Sequence, residues 1–244
     1  YNRVNAVWAP SCATAETLTE YGYDGEVTVV PNGSDLTPPD EARYAEYRAR
    51  GHKRLRFKDG DTPFVLLFVG QHRWVKNIGL ILDGIAELSR HYRSDPLVYG
   101  VFVGTGADTE AIIHYAHKRG ISERCRFAGP INDRETLKEY YARADLFAFP
   151  SLYDNAPLVV REAAAFRTPS ILARGSTAAV DTIDNRNAFH VDTDPNAFAR
   201  LVDSLRRDHE RIDRVGTGAR NELYRDWRSV VDEVFERYRS LIEA

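Results

Sequence analysis

The sequence has no methionine and only two cysteines in 244 residues. Cys12 and Cys125 lie far apart and neither belongs to a CxxC pair. Disulfide scaffolds, thiol redox motifs and cysteine-based zinc sites are therefore excluded, and reduced thiols fit a cytoplasmic protein. The absence even of an initiator methionine points to a chain that starts inside a longer reading frame. No apolar run approaches the ~20 residues of a membrane-spanning helix, and Tyr1 to Leu18 lacks the basic start and apolar stretch of a signal peptide. Nor does one sign of charge dominate. The 33 basic and 36 acidic residues are mixed along the chain, so its net charge of -3 creates no domain-wide field for nucleic acid or an anionic membrane. Two enzyme signatures are missing as well. Gly70 stands alone where a dinucleotide-binding turn would read Gly-x-Gly-x-x-Gly, and no Gly-x-Ser-x-Gly elbow occurs. Nicotinamide-dependent dehydrogenation and Ser-His-Asp hydrolysis are thereby disfavoured. The seven histidines and scattered acids form no metal-ligand cluster, so no metal site is assigned.

What is present is enough apolar material for a core: 43% hydrophobic residues beside 28% charged. From Pro63 onward short apolar runs alternate with amphipathic stretches, the pattern of parallel strands joined by helices. Strands are predicted at Phe64 to Val69, Leu97 to Val103, Arg126 to Ala128, Leu146 to Phe149, Ser170 to Ala173 and Ala188 to Val191. Helices are predicted at Ile78 to Arg90, Thr109 to Arg119, Arg134 to Ala144 and Leu158 to Phe166. The fold class is α/β, a doubly wound, Rossmann-like parallel sheet with helices on both faces. Ahead of it, Val4 to Trp8, a helix near Ala13 to Tyr21 and a strand Val27 to Val30 make one more αβ step, ending in the turn Pro31-Asn32-Gly33. Residues 36–62 are polar and read as a connection carrying a short helix. Its basic run His52-Lys53-Arg54-Leu55-Arg56 is either a solvated linker or a partner-binding patch. The C-terminus reads as one long helix, with Leu223, Trp227, Val230, Val231, Val234, Tyr238 and Leu241 at helical spacing on a stripe that needs a surface to cover.

Ligands of an open parallel sheet bind beyond the carboxyl ends of its strands, which directs attention to the loops that follow them. After Phe64 to Val69 comes Gly70-Gln71-His72-Arg73-Trp74-Val75-Lys76, running into a helix near Asn77. Helix N-termini carry a partial positive charge, so Arg73 and Lys76 are misplaced there unless an anion such as phosphate joins them. The other possibility is that Lys76 simply reaches into solvent. After Leu146 to Phe149 comes Ser151-Leu152-Tyr153-Asp154-Asn155-Ala156-Pro157. Pro157 suits the first helical position, which makes Ala156 a poor cap and leaves first-turn amides looking for an acceptor. Glu162 follows on a helix otherwise built from Val and Ala. Its carboxylate needs a partner if buried, and either a pair of ribose hydroxyls or a neighbouring arginine would serve, with Asp154 then capping the helix.

Asp154 and Glu162 are eight positions apart, within ADLFAFPSLYDNAPLVVREAAAFRTPSIL (144–172). This stretch resembles the signature of family 4 retaining glycosyltransferases, in which seven residues separate two acids. VVPNGSDL (29–36) is similar to that family's inter-domain junction and LLFVGQHRWVKNIGLIL (66–82) to its first phosphate-binding loop. GVFVGTGAD (100–108) and FAGPIND (127–133) follow in the expected order. The resemblance covers essentially the whole chain and implies the C-terminal, donor-binding half of a two-domain GT-B fold. It divides the chain into 1–35, the tail of the N-terminal acceptor domain; 36–62, the inter-domain connection; 63–220, the nucleotide-sugar-binding domain; and 221–244, a helix packing back toward the other half.

By that resemblance the substrate is a UDP- or GDP-sugar, used without a metal, and the parent enzyme transfers its sugar to an acceptor hydroxyl with retention. Lys76 and Asp154 are then the catalytic candidates. The donor is held by Gly70, Gln71, Arg73, Lys76, Gly104, Ile131, Asn155, Ala156, Leu158 and Glu162, with Glu162 on the ribose and backbone near Ile131 on the base. No protein nucleophile is implied. The expected partners are the nucleotide-sugar donor and the N-terminal acceptor-binding domain, with no nucleic acid and no transmembrane segment. The parent protein is expected in the cytoplasm, peripheral at the inner face of the membrane, in surface-polysaccharide or glycolipid assembly. Three residues depart from the family pattern: Gln71 in place of arginine, Asp154 in place of glutamate and Pro157 in place of glycine. An inactive nucleotide-sugar-binding or scaffold module is the alternative, and an epimerase acting on sugar nucleotides shares the architecture.

Overall fold

A computed structural model describes residues 4–57, 62–91 and 97–243. Residues 1–3 of the 1–35 segment and 58–61 of the 36–62 connection thus lie outside the described residues. In chain order the elements are β1 (Val7–Ala9), α1 (Cys12–Glu20), β2 (Val27–Val29), α2 (Glu41–Arg54), β3 (Phe64–Val69), α3 (Ile78–His91), β4 (Val98–Val103) and α4 (Thr109–Lys118). There follow β5 (Cys125–Gly129), α5 (Arg134–Arg143), β6 (Leu146–Phe149), α6 (Leu158–Ala165), β7 (Ser170–Ala173), β8 (Phe189–Val191), α7 (Pro195–Leu205), α8 (His209–Glu222) and α9 (Trp227–Glu243). Each strand and helix predicted between Pro63 and Val191 is present within one or two residues at its ends.

The six apolar residues of β3 are all buried, which marks a strand covered on both faces. It is indeed central: the sheet runs β5-β4-β3-β6-β7-β8, and every neighbouring pair is parallel. Helix α3 turns Leu80, Ile81, Ile85 and Leu88 inward and packs on α7 and α4. On the other face α5 packs on α2, and α6 on α8. Chain order runs outward from β3 through β4 to β5 and then returns to β6, β7 and β8 on its other side, so right-handed crossovers put α3 and α4 on one face and α5 and α6 on the other. Helix α7, not assigned from the sequence, opens on Asp194-Pro195, whose Asp194 carboxylate accepts from the Ala197 amide at 2.7 Å. The N-terminal step forms its own two-stranded parallel sheet, β1 with β2, separate from the six-stranded one.

Two expectations from the sequence are corrected. The segment 36–62 is not simply a solvated connection, because α2 is fourteen residues long and its Tyr47 is buried. Leu36, Leu55 and Phe57 join the same core as the sheet. Within the basic run, Lys53, Arg54 and Arg56 stay exposed while Leu55 turns inward, so charge at the surface masks an apolar anchor. The C-terminal helix predicted from Leu223 starts only at Trp227, and a separate helix not assigned from the sequence, α8, ends at Glu222. Residues 223–226 break the register, Asp226 takes the Ser229 amide and hydroxyl at 2.7 and 3.0 Å, and Ser34 bridges to Asp226. A side chain that caps offers the backbone a competing partner, and here the competitor prevails. On α9, Val230 is buried, whereas Phe235 and Ile242 are 64% and 84% exposed. Tyr238 meets the edge of Trp8 with ring centroids 4.7 Å apart.

Candidate functional site

The strand order reverses between β3 and β6, so the connections leaving these two parallel strands diverge to opposite faces and open a crevice. The loop after β3 holds Gly70, Gln71, Arg73 and Lys76. Trp74–Lys76 forms a 3-10 turn, Asn77 closes it in the left-handed region at φ 57°, and α3 starts only at Ile78. Asn tolerates that backbone because its short amide can bond locally. Here the Asn77 side-chain nitrogen donates to the Pro150 carbonyl at 3.2 Å and ties the two loops together.

The loop after β4 supports this turn from the side. A Cβ on Gly104 would lie 2.0 Å from the Gly70 carbonyl oxygen, and one on Gly106 would lie 2.4 Å from that of His72, so only glycine permits the approach. The His72 amide donates to Thr105 at 3.1 Å, the Asp108 amide donates to His72 at 3.1 Å, and the Asp108 carboxylate accepts from the Trp74 amide at 2.9 Å. His72 is buried, ringed by Phe68 and Phe127, and burial holds its imidazole below the usual histidine range.

Across the crevice, the Lys76 ammonium donates to Asp154 Oδ1 at 2.5 Å. About a fifth of each side chain is exposed. Lys76 therefore does not simply extend into solvent; it neutralises Asp154, whose other oxygen, Oδ2, is buried with no hydrogen-bond partner among the described residues. Asp154 does not cap α6. The residue before the helix is Pro157, one position later than the sequence suggested, and no side chain caps it. Ala156 is buried and held at φ 46°, which turns the chain sharply into Leu158. The Val160 amide donates to the Pro157 carbonyl at 3.2 Å, which leaves the Leu158 and Val159 amides as the uncapped pair at the mouth of the crevice among the described residues. The Thr177 hydroxyl donates to the Asp154 and Leu152 carbonyls at 3.1 and 3.3 Å and holds the acidic loop from the β7 side.

Glu162, about one turn into α6, is buried and doubly held. Tyr141 donates its hydroxyl to Oε2 at 2.7 Å and Arg134 donates to Oε1 at 3.2 Å. Burial and the adjacent carboxylate push the Tyr141 phenol well above its ordinary range. The neighbouring arginine considered for Glu162 from sequence is thus one of its partners.

The structure thus brings Gly70, Gln71, Arg73, Lys76, Gly104, Asp154, Asn155, Ala156 and Leu158 to one edge of the sheet, with Gln71, Arg73 and Asn155 exposed. Ile131 follows β5 on the same edge and is partly buried against the core. Lys76 and Glu162 share no partner: one contacts Asp154, the other Arg134 and Tyr141. Arg134, Tyr141, Asn32, Asp35, His72 and Thr177 also shape this edge and were not singled out from the sequence. A signal existed for Arg134. It is the first residue of α5, where a cation opposes the helix dipole, just as at Lys76.

A family model described as glycosyl transferases group 1 matches residues 52–222. The chain belongs to this family. It is 31% identical over 222 residues to the D-inositol 3-phosphate glycosyltransferase of Xylanimonas cellulosilytica, covering 88% of this chain and 52% of that protein. It is 29% identical over 233 residues to the glycogen synthase of Mycobacterium tuberculosis, covering 93% and 52%. The chain spans about half the length of the curated relatives it matches. Sucrose-phosphate synthase from Thermosynechococcus elongatus superposes with a TM-score of 0.82 at 21% identity, over 99% of this chain and 59% of that one. Anabaena HepE in complex with UDP and glucose superposes with a TM-score of 0.77 at 19% identity, over 98% and 64%. At such identities these two speak to fold, and the fold is the Rossmann-like half of GT-B. No helix among the described residues is long and apolar enough to cross a membrane.

Proposed function

We propose that this group 1 glycosyltransferase chain is the donor-binding half of a retaining enzyme that moves a sugar from a nucleoside diphosphate sugar to an acceptor hydroxyl. The observation that carries the reading is Lys76, a cation at the reversal of the parallel sheet, facing an acidic loop that enters a helix with uncapped amides. A diphosphate meets both needs, since its charge competes for the ammonium and its oxygens accept from the amides. As the bond to the sugar breaks, negative charge grows on the leaving diphosphate, and Lys76, Arg73 and the α6 amides stabilise it without a resident metal. The leaving phosphate takes the acceptor proton on the same face, so the anomeric configuration is kept and no protein nucleophile takes part. Ionised Glu162 has about four lone-pair sites, of which Tyr141 and Arg134 occupy two. The remaining pair suits the vicinal hydroxyls of a ribose.

The reading also gives the exposed stripe of α9 an occupant: the acceptor-binding half of the enzyme packs along Val231, Phe235 and Leu241, with residues 1–35 belonging to that half. A thermal-shift screen of the chain against UDP-, GDP-, ADP- and dTDP-sugars tests the proposal. A bound donor at a hundred times its Kd adds about 2.7 kcal/mol of stability. Stabilisation by one nucleotide class is the expected result, and no shift with any of them at millimolar concentration overturns it. Binding without transfer or hydrolysis in an intact two-domain parent would favour the inactive-module reading. The chain alone is expected to transfer nothing, because one wall of the reaction cleft belongs to the other half.

A further inference from the structure

Resting on that reading, we infer that Arg134 is a positioning residue which sets the Glu162 carboxylate for the ribose and ties it to Asp35. Glu162 is 7% exposed and sits on a helix whose neighbouring residues Val160, Ala163, Ala164 and Ala165 are apolar and buried. An ionised carboxylate there needs charge-assisted partners, and among the described residues Arg134 is the cation that reaches it. The guanidinium does not act on Glu162 alone. Its Nη1 donates to Glu162 Oε1 at 3.2 Å and its Nη2 to Asp35 Oδ2 at 2.9 Å. A planar fork with fixed donor directions, gripping two carboxylates, orients each relative to the other.

Asp35 is no isolated surface acid. It lies in the segment that follows β2, and that segment is anchored at three further points. The Asn32 side chain donates to the carbonyl of Ala156 in the acidic loop at 3.2 Å, the Ser34 amide donates to Arg225 at 2.8 Å, and Ser34 pairs with Asp226 at the foot of α9. Residues 32–35 therefore touch the acidic loop, the Glu162 arginine and the start of α9 at once. Any displacement of this segment is passed to the two acidic residues by separate routes: through Asn32 to the Asp154 loop, and through Asp35 and Arg134 to Glu162. Arg134 is half exposed. Its replacement therefore leaves the core intact, and the consequence falls on the carboxylate.

The test is isothermal titration of the 244-residue chain with UDP, GDP and ADP, then with the 2′,3′-dideoxy form of whichever binds most tightly. Wild type is expected to prefer the ribonucleotide by tenfold or more. Arg134→Gln is expected to reduce that preference to threefold or less while diphosphate binding through Lys76 persists, and Arg134→Lys to restore part of it. Asp35→Asn, which leaves Glu162 its arginine but frees the other end, is expected to lower the preference by two- to threefold. A ribose preference as large as wild type in both Arg134→Gln and Asp35→Asn, with each variant melting as wild type does, overturns the inference and leaves the donor-site proposal standing. Failure of wild type to bind any of the three nucleotides instead removes the donor-site proposal on which the inference rests.

Discussion

The contact between Lys76 and Asp154 makes a prediction with two signs. If the ammonium receives a diphosphate, Asp154 is its competitor, and the two residues should respond oppositely to removal. A charge pair 4 Å apart is worth about 4 kcal/mol at the effective dielectric of a half-buried site. Lys76 has 22% of its side chain exposed and begins paired at 2.5 Å, so most of that gain is offset by breaking the existing contact. A net loss of about 1.4 kcal/mol or more, a tenfold weakening, is the expected effect of Lys76→Ala on nucleoside diphosphate affinity. Asp154→Asn removes the competing acceptor and a carboxylate whose Oδ2 is buried without a partner among the described residues. It should tighten the binding of the free diphosphate by several fold, even as it abolishes transfer in an intact enzyme. Calorimetry of both variants against the same nucleotide reads the two signs together. Unchanged affinity in Lys76→Ala refutes the phosphate assignment, and an Asp154→Asn variant weakened as much as Lys76→Ala refutes the competition.

Three further outcomes follow from the packing. Asp145 accepts from the Val65 amide and pairs with the buried Arg143 at 3.1 Å. Asp145→Ala should therefore cost about 3–5 kcal/mol in urea unfolding by leaving a buried cation uncompensated, and a loss under 1 kcal/mol would contradict that role. Tyr141→Phe strips Glu162 of its neutral donor, and a loss of about 1–3 kcal/mol is expected from the orphaned acceptor; wild-type stability would show that the phenol is dispensable. Burial lowers the His72 imidazole below 6.5, so the unfolded chain binds the extra proton more readily. The resulting stability is complete above about pH 6.5 and declines as pH falls below it toward the folded-state value. His190 is lowered in the same direction, again chiefly by burial, and contributes the same sign. Melting curves of His72→Leu between pH 7.5 and 5 should be flatter than wild type but not flat; an unaltered pH profile would remove His72 from the account.

Much of the fold was legible because the information is local. The wholly apolar Phe64–Val69 and the spacing of Leu80, Ile81, Ile85 and Leu88 announce a central strand and a half-buried helix without reference to anything distant. Asp226 ahead of Trp227 is an equally local capping signal, set inside the longer apolar period that runs from Leu223 to Leu241. The loops of the site were legible too, because cations at Arg73 and Lys76 and an uncapped helix after Asp154 conflict with ordinary helix termini. Sequence by itself thus determined the doubly wound sheet, the loops that meet at one edge of it, and the family that its motifs resemble.

Only tertiary structure decided which charge meets which. Lys76 and Asp154 are 78 positions apart and are joined because β6 inserts beside β3. Glu162 took Arg134 and Tyr141 as partners because α5 and α6 lie on the same face of the sheet, and neither helix carries that information alone. The same holds for Leu55, buried within a basic run once α2 settles on α5. Periodicity is written in neighbouring residues, whereas an ion pair depends on the distance between side chains, which exists only after the backbone has closed.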